Sequence, residues 1–246
     1  MTRKSASPAS VPTTPLPSLH LSEDTHRSSP NLLASLSEAE YARLRMVSPI
    51  LDFSTGETVF RQGDHHEGIF VILAGRVRVY YGGPSGREIT LAYWTPGNFI
   101  GGPEIFGGSP HMWSGEAVRP TQVLHVHGPE LRRQAERSPR LAMALIDAMV
   151  HKGKCFSALI HMLGTRSATE RLAQLLVLMG DLEGRRLPEG IAISRDLTQD
   201  ELAKMVGSSR QWIYSTLERF RKERLVELGS DRILILNEEV LRQYAE

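Results

Sequence analysis

The segment from Asp196 to Leu236, DLTQDELAKMVGSSRQWIYSTLERFRKERLVELGSDRILIL, limits what this chain can fold into more than any other stretch. Thr198 followed three residues later by Glu201 makes a T-x-x-E capping box, and Leu197 and Leu202 hold the two positions of a hydrophobic staple. A helix is therefore predicted to begin at about Gln199. Leu202, Ala203 and Val206 give it one apolar side, and Gly207 supplies the left-handed backbone that ends it. Ser208 or Ser209 can cap a second helix at once, along which Ile213, Leu217 and Phe220 repeat at spacings of four and three. That stripe faces the first helix and leaves Arg210, Gln211, Tyr214 and Arg221 outside.

Two short helices joined by a glycine turn, the second with polar residues exposed at its start, form the unit that lays a recognition helix in the DNA major groove. Two apolar runs, Arg224 to Leu228 and Ile233 to Leu236, flank Gly229-Ser230-Asp231 and predict a two-stranded wing. The alternative is a helical hairpin inside an ordinary core. Charge separates the two only locally. From Thr165 to Glu246 there are thirteen basic against fourteen acidic residues, but between Lys204 and Arg224 six basic residues face two acidic ones.

A length of 246 residues leaves room for two modest domains, and 41% hydrophobic with 23% charged residues is the composition of a soluble globular protein. No apolar run is long enough to span a bilayer, and no charged-then-apolar start marks a signal peptide, so a cytoplasmic protein without a membrane partner is expected. The single cysteine, Cys155, excludes an internal disulfide and any four-cysteine metal site built by one chain.

Residues 1–30 are rich in Ser, Thr and Pro with almost no periodic apolar residue, which predicts a disordered tail. Residues 31–138 are expected to form one domain. It opens with a short helix signalled by Ser37 and Glu40, followed by short runs punctuated by glycine: Glu57 to Phe60, Gly68 to Leu73, Gly75 to Tyr81, Arg87 to Tyr93, Asn98 to Ile100 and Thr121 to Val126. Such runs indicate a small antiparallel barrel or jelly roll. Residues 139–164 are helical in period. Leu141, Leu145, Ala148, Lys152, Cys155, Leu159 and Met162 make a four-three seam suited to a two-fold contact with a second chain, although Lys152 interrupts it. A parallel stripe of Ile146, Met149, Gly153, Phe156, Ile160 and Leu163 is left to pack on the barrel. Gly164-Thr-Arg-Ser is the expected hinge, and residues 165–246 form the last domain, opened by a helix at Ala168. The class is α+β.

This order of parts resembles the CRP/FNR transcription regulators. The resemblance spans about Leu36 to Leu236 and rests on Arg61-Gln-Gly-Asp, Val71-Ile-Leu-Ala-Gly-Arg-Val-Arg-Val, Pro96-Gly-Asn-Phe-Ile-Gly, Glu170-Arg-Leu-Ala-Gln-Leu-Leu and Leu202-Ala-Lys-Met-Val-Gly-Ser-Ser-Arg. It implies an antiparallel β-roll sensor, a long dimerisation helix and a winged helix-turn-helix. By the same resemblance the chain is a homodimer without catalytic residues that binds a two-fold symmetric DNA operator, answers to a small-molecule effector and acts with RNA polymerase.

The departures from the family pattern bear on the effector. Cyclic-nucleotide members hold the sugar with a Glu, which resembles Gly102 here, and the phosphate with an Arg followed by Ser or Thr, which falls on His111 and Met112 or on Met112 and Trp113. Two hydroxyl residues on the dimer helix that touch the adenine resemble Phe156 and Ser157. Without the arginine a phosphate has no charge-assisted clamp. Cyclic AMP is therefore not the expected effector. A small apolar or aromatic molecule is expected instead, bound by Tyr93, Trp94, Gly102, Phe106, His111, Met112, Trp113, Phe156, Ser157 and Ile160.

For DNA, Arg210 and Gln211 head the recognition helix with Tyr214 and Ser215 one turn on, and bidentate Arg–guanine and Gln–adenine pairs suit base reading. Gln211 stands where the family usually has Glu, and Ser215 where it has a base-reading Arg, which implies a different operator. Lys204, Ser208 and Trp212 are expected on phosphates, and Thr198, Ser209 and Arg221 complete the interface. No cofactor is required. Two rivals remain: haem or metal gas sensing on the same scaffold through His111 or His151, and a cupin-like metalloenzyme using His125, His127 and Glu130.

Overall fold

The computed structural model describes residues 30–194 and 198–245. The expected tail, residue 30 apart, and the staple residue Leu197 lie outside the described residues.

Ser37 caps α1 (Glu38–Val47) through the anticipated box with Glu40. The Glu40 carboxylate also accepts a hydrogen bond from the Ser138 hydroxyl, and together Ser138 and Ser37 hold its pKa down at about 2. Eight strands follow: β1 (Ile50–Phe53), β2 (Thr58–Phe60), β3 (Gly68–Ala74), β4 (Val77–Gly82), β5 (Glu88–Trp94), β6 (Phe99–Ile100), β7 (Ser114–Ala117) and β8 (Thr121–His127). They pair antiparallel in two four-stranded sheets, ordered β1-β8-β3-β6 and β2-β7-β4-β5, whose facing sides enclose the core of the roll. Strands β1 and β7 were not anticipated. The first is short, and Ser-Gly-Glu-Ala in the second has no apolar alternation to announce it.

Helix α2 (Gly128–Arg137) leads into α3 (Pro139–Thr165), which Ser138 caps by accepting from the Leu141 amide. The C-terminal part holds α4 (Ala168–Glu183), the hairpin β9 (Arg185–Leu187) and β10 (Gly190–Ser194), α5 (Gln199–Val206), α6 (Arg210–Lys222), the wing β11 (Val226–Leu228) and β12 (Arg232–Ile235), and α7 (Glu238–Ala245). The wing continues into the earlier hairpin as one sheet, β11-β12-β10-β9. Local chemistry sets α5 and α6 as expected: Thr198 and Glu201 cap reciprocally, Gly207 adopts the left-handed conformation at φ 66°, and the Ser209 hydroxyl accepts from the Trp212 amide.

The long helix corrects one expectation. Leu141, Leu145, Ala148, Lys152, Cys155, Leu159 and Met162 are all buried within this one chain; the first three join the core between the roll and α2, and Cys155 joins the core of the roll itself. The seam that was expected to meet a second chain is the helix's inward face. Of the stripe expected to pack on the barrel, Ile146 (51% exposed) and Ile160 (71%) point to solvent, alongside Met143 (55%) and Val150 (52%). Met143, Ile146, Val150, Gly153, Ser157 and Ile160 repeat at spacings of three and four along that outward side. Two stripes of equal period lie side by side, and the inward one is the more apolar in sequence because the outward one carries Gly153 and Ser157.

Candidate effector cavity and nucleic-acid interface

Between the roll and α3 lies a cavity of about 280 Å³. The roll supplies Val79, Trp94, Ile100, Gly101, Pro103, Met112 and Trp113; the helix supplies Met149, Lys152, Gly153 and Phe156, which share one helical face. The Trp113 and Phe156 rings meet at 5.4 Å between centroids. Four of the expected effector residues, Trp94, Met112, Trp113 and Phe156, line it.

The other six stand elsewhere. Tyr93 follows the pleat of β5 to the opposite face from Trp94 and is buried in the core of the C-terminal part, where burial pushes its hydroxyl up to about 12. Gly102 borders a neighbouring recess with His66 and Pro103. Phe106 lies beneath the Arg132 guanidinium, 4.4 Å from its ring centre. His111 stacks on Phe60 at 4.5 Å and lies tilted against His66 at 4.3 Å between ring centres, and burial, with the neighbouring His66, pushes it down to about 4, so it is a neutral ring in the roll wall. Ser157 and Ile160 are exposed. His151 lies against the edge of Trp94 and, like His111, does not line the cavity, so neither of the two histidines considered for haem faces it.

Lys152 is the residue that sequence reasoning misplaced most. Instead of interrupting a dimer seam, it is 8% exposed, lines the cavity and sets its Nζ 3.5 Å from the centre of the Trp94 ring. The signal was present: a lone lysine in an otherwise apolar seam has to face something polar or a π surface.

The expected DNA contacts divide likewise. Arg210, Gln211, Tyr214, Ser215 and Arg221 are exposed along α6, while Ile213, Thr216, Leu217 and Phe220 are buried. Arg221 is already paired with Glu218, and the Ser215 hydroxyl donates to the Gln211 carbonyl. Thr198 and Ser209 serve as caps, Ser208 is half-buried, and Trp212 packs on the C-terminal core. Lys204 does not project freely. Its Nζ lies 3.3 Å from Glu88 on β5 and 3.0 Å from Asp200. Glu88 also accepts from the buried Arg78 at 2.8 Å, and these two cations outweigh the effect of burial to keep its carboxyl below its ordinary pKa. Beside them Arg87 donates to the Gly207 carbonyl, so the roll clasps the end of α5.

Glu130, the third member of the expected metal triad, is engaged by Arg133 and Gln134 instead. Glu67 takes its place: a carboxylate oxygen of Glu67 and one ring nitrogen each of His125 and His127 lie within 4.8 Å of one another. No helix among the described residues is long and apolar enough to cross a membrane.

Residues 50–138 match the cyclic nucleotide-binding domain family, and residues 170–244 match the Crp-like helix-turn-helix domain family. The chain belongs to the CRP/FNR family of transcription regulators. Its curated relatives include the CRP-like cAMP-activated global transcriptional regulator of Mycobacterium tuberculosis, 24% identical over 83% of this chain and 91% of that one. The global nitrogen regulator of Synechococcus elongatus is 26% identical over 79% and 88%. Among solved structures, a CooA mutant from Carboxydothermus hydrogenoformans superposes with a TM-score of 0.73 at 20% identity, covering 93% of this chain and 99% of that one. OCPA-complexed CprK gives 0.67 at 17% identity, covering 85% and 94%. CLP, the c-di-GMP responsive regulator of Xanthomonas campestris, gives 0.73 at 18% identity, covering 82% and 100%. As a CRP/FNR member this protein is a DNA-binding regulator and not an enzyme, which sets aside the cupin-like alternative.

Proposed function

We propose that this CRP/FNR regulator acts as a homodimer on a two-fold symmetric operator and that a small apolar or aromatic effector, seated between the roll and α3, sets its DNA affinity. The cavity carries this reading: its walls are aromatic and aliphatic, and no arginine stands among the residues that line it. Proteins on the same scaffold include a cAMP-activated regulator, a c-di-GMP responsive regulator and OCPA-complexed CprK, so the fold leaves the effector open and the lining residues have to decide it. The exposed stripe from Met143 to Ile160 supports a helix-to-helix contact between two copies. RNA polymerase is the expected downstream partner, and the scheme requires no cofactor.

Within this reading, Arg210 and Gln211 read bases. Arg210→Ala and Gln211→Ala are expected to narrow the gap between operator and random duplex by about 1–3 kcal/mol each. Anisotropy titrations against both duplexes measure it, and equal losses on the two would contradict base reading. Lys204 reaches phosphates only after α5 leaves β5, which makes the Glu88 contact a brake. Glu88→Gln is therefore expected to raise operator affinity about fivefold without effector, at the low end of ordinary coupling between sites. Unchanged or weaker binding by a folded variant would remove the brake from the scheme.

A further inference from the structure

We infer that the cavity reads an acidic group: its occupant is a small aromatic or apolar carboxylate whose oxygens pair with Lys152 Nζ, an inference that rests on the effector reading above. Lys152 is the one charged side chain lining the cavity. Trp94 and Phe99 face its Nζ from β5 and β6, at 3.5 and 4.7 Å from their ring centres. None of the ion pairs among the described residues includes it. On its own helix the neighbouring His151 makes a T-shaped contact with Trp94, and the thiol of Cys155, one turn on, is pushed up to about 11 by burial and so stays neutral.

An ammonium taken out of water loses far more hydration than two aromatic faces return, and a complementary anion is what restores the balance. With no such anion paired to it among the described residues, the place for one is the cavity. The remaining walls fix its character. Val79, Ile100, Pro103, Met112, Met149 and Phe156 offer no side-chain donor and Trp113 only a neutral indole N–H, so a singly charged carboxylate fits where a phosphate would lack a second cation. The volume, about 280 Å³, lies at the small end for ligand pockets and suits a compact, single-ring molecule. Burial pushes the free amine down to about 7. A carboxylate binds its protonated form, so acid affinity falls as pH rises above that value.

Calorimetric titration of the full-length protein with a library of single-ring carboxylates and their neutral carboxamides tests this. At pH 6.5 the best acid is expected to bind at least about tenfold tighter than its amide, near the strength of one charge-assisted pair. In Lys152→Met that preference should vanish while the amide changes little, with a melting curve to verify folding. On the wild-type protein, acid affinity should also drop by roughly fifteenfold between pH 7 and pH 8.5 while amide affinity stays level. Acid and amide binding alike, a preference that survives Lys152→Met, or a flat pH profile would overturn the role of Lys152 and leave the cavity reading intact. Failure of both acids and amides to bind would overturn both.

Discussion

Val150→Asp combined with Ile160→Asp should convert the protein to a monomer and weaken operator binding by about 100-fold or more. Both side chains stand on the outward stripe of α3, more than half exposed in the single chain, with Met143 and Ile146 continuing the same line. If two copies meet along that line, each aspartate puts a charge into a contact that is otherwise apolar, and like charges face each other across the two-fold axis. Losing the dimer splits one bivalent encounter with two half-sites into two independent ones, which forfeits the effective concentration that linkage supplies, typically a factor of 10²–10⁴. The inward seam gives the matching control. Leu145→Ala or Leu159→Ala empties space in a packed interior and is expected to cost about 2–5 kcal/mol of stability with no change in association state. Sedimentation velocity and denaturant titration on the three variants read both effects. A dimeric double aspartate variant would show that another surface joins the copies.

Lys152→Met should make the protein more stable at neutral pH. In the unfolded chain this lysine keeps the ordinary value of 10.5, whereas burial brings it down to about 7 in the fold. Between those values the unfolded chain holds a proton that the folded chain does not, so stability falls as pH drops from about 10.5 to about 7 and levels off below. Methionine fills a similar volume and carries no charge. The gain is therefore expected to be greatest at or below pH 7, on the order of 3 kcal/mol, and to fade towards pH 10.5. For a chain of this size that corresponds to about 5–10 °C in melting temperature. Melting curves at pH 6.5 and pH 10 measure it. A variant less stable than the parent at pH 6.5 would mean that the ammonium is compensated in the free protein, contrary to the reading of the cavity. Stability given up to keep a buried charge is the trade expected of a residue retained for ligand recognition.

These two variants also mark where sequence was informative. The helix-turn-helix was legible because its signals are local: Thr198 with Glu201, Gly207, and Ser209 each act within one turn. Six strands of the roll were legible from alternation and glycine spacing. What sequence did not resolve was phase. On α3 two stripes share one period, and only the packed roll shows that Cys155 and Lys152 turn inward while Ile146 and Ile160 turn out. On β5, Tyr93 and Trp94 are both aromatic neighbours, yet a strand can send only one of them into the cavity. Contacts between distant segments carry no sequence signature of their own, as with Glu88 and Lys204 across the two parts, or Glu67 beside His125 and His127.

In the proposed scheme two copies of this chain grip an inverted repeat under the control of a ligand in the roll. Selection of bound duplexes from a fragmented genomic library by the full-length protein, followed by footprinting with and without the carboxylate library, tests it most directly. Enrichment of a two-fold repeat with half-sites about one helical turn apart, protected to a degree that ligand changes, is the predicted result. Recovery of no preferred duplex under any condition, or of a site without two-fold symmetry, would contradict it.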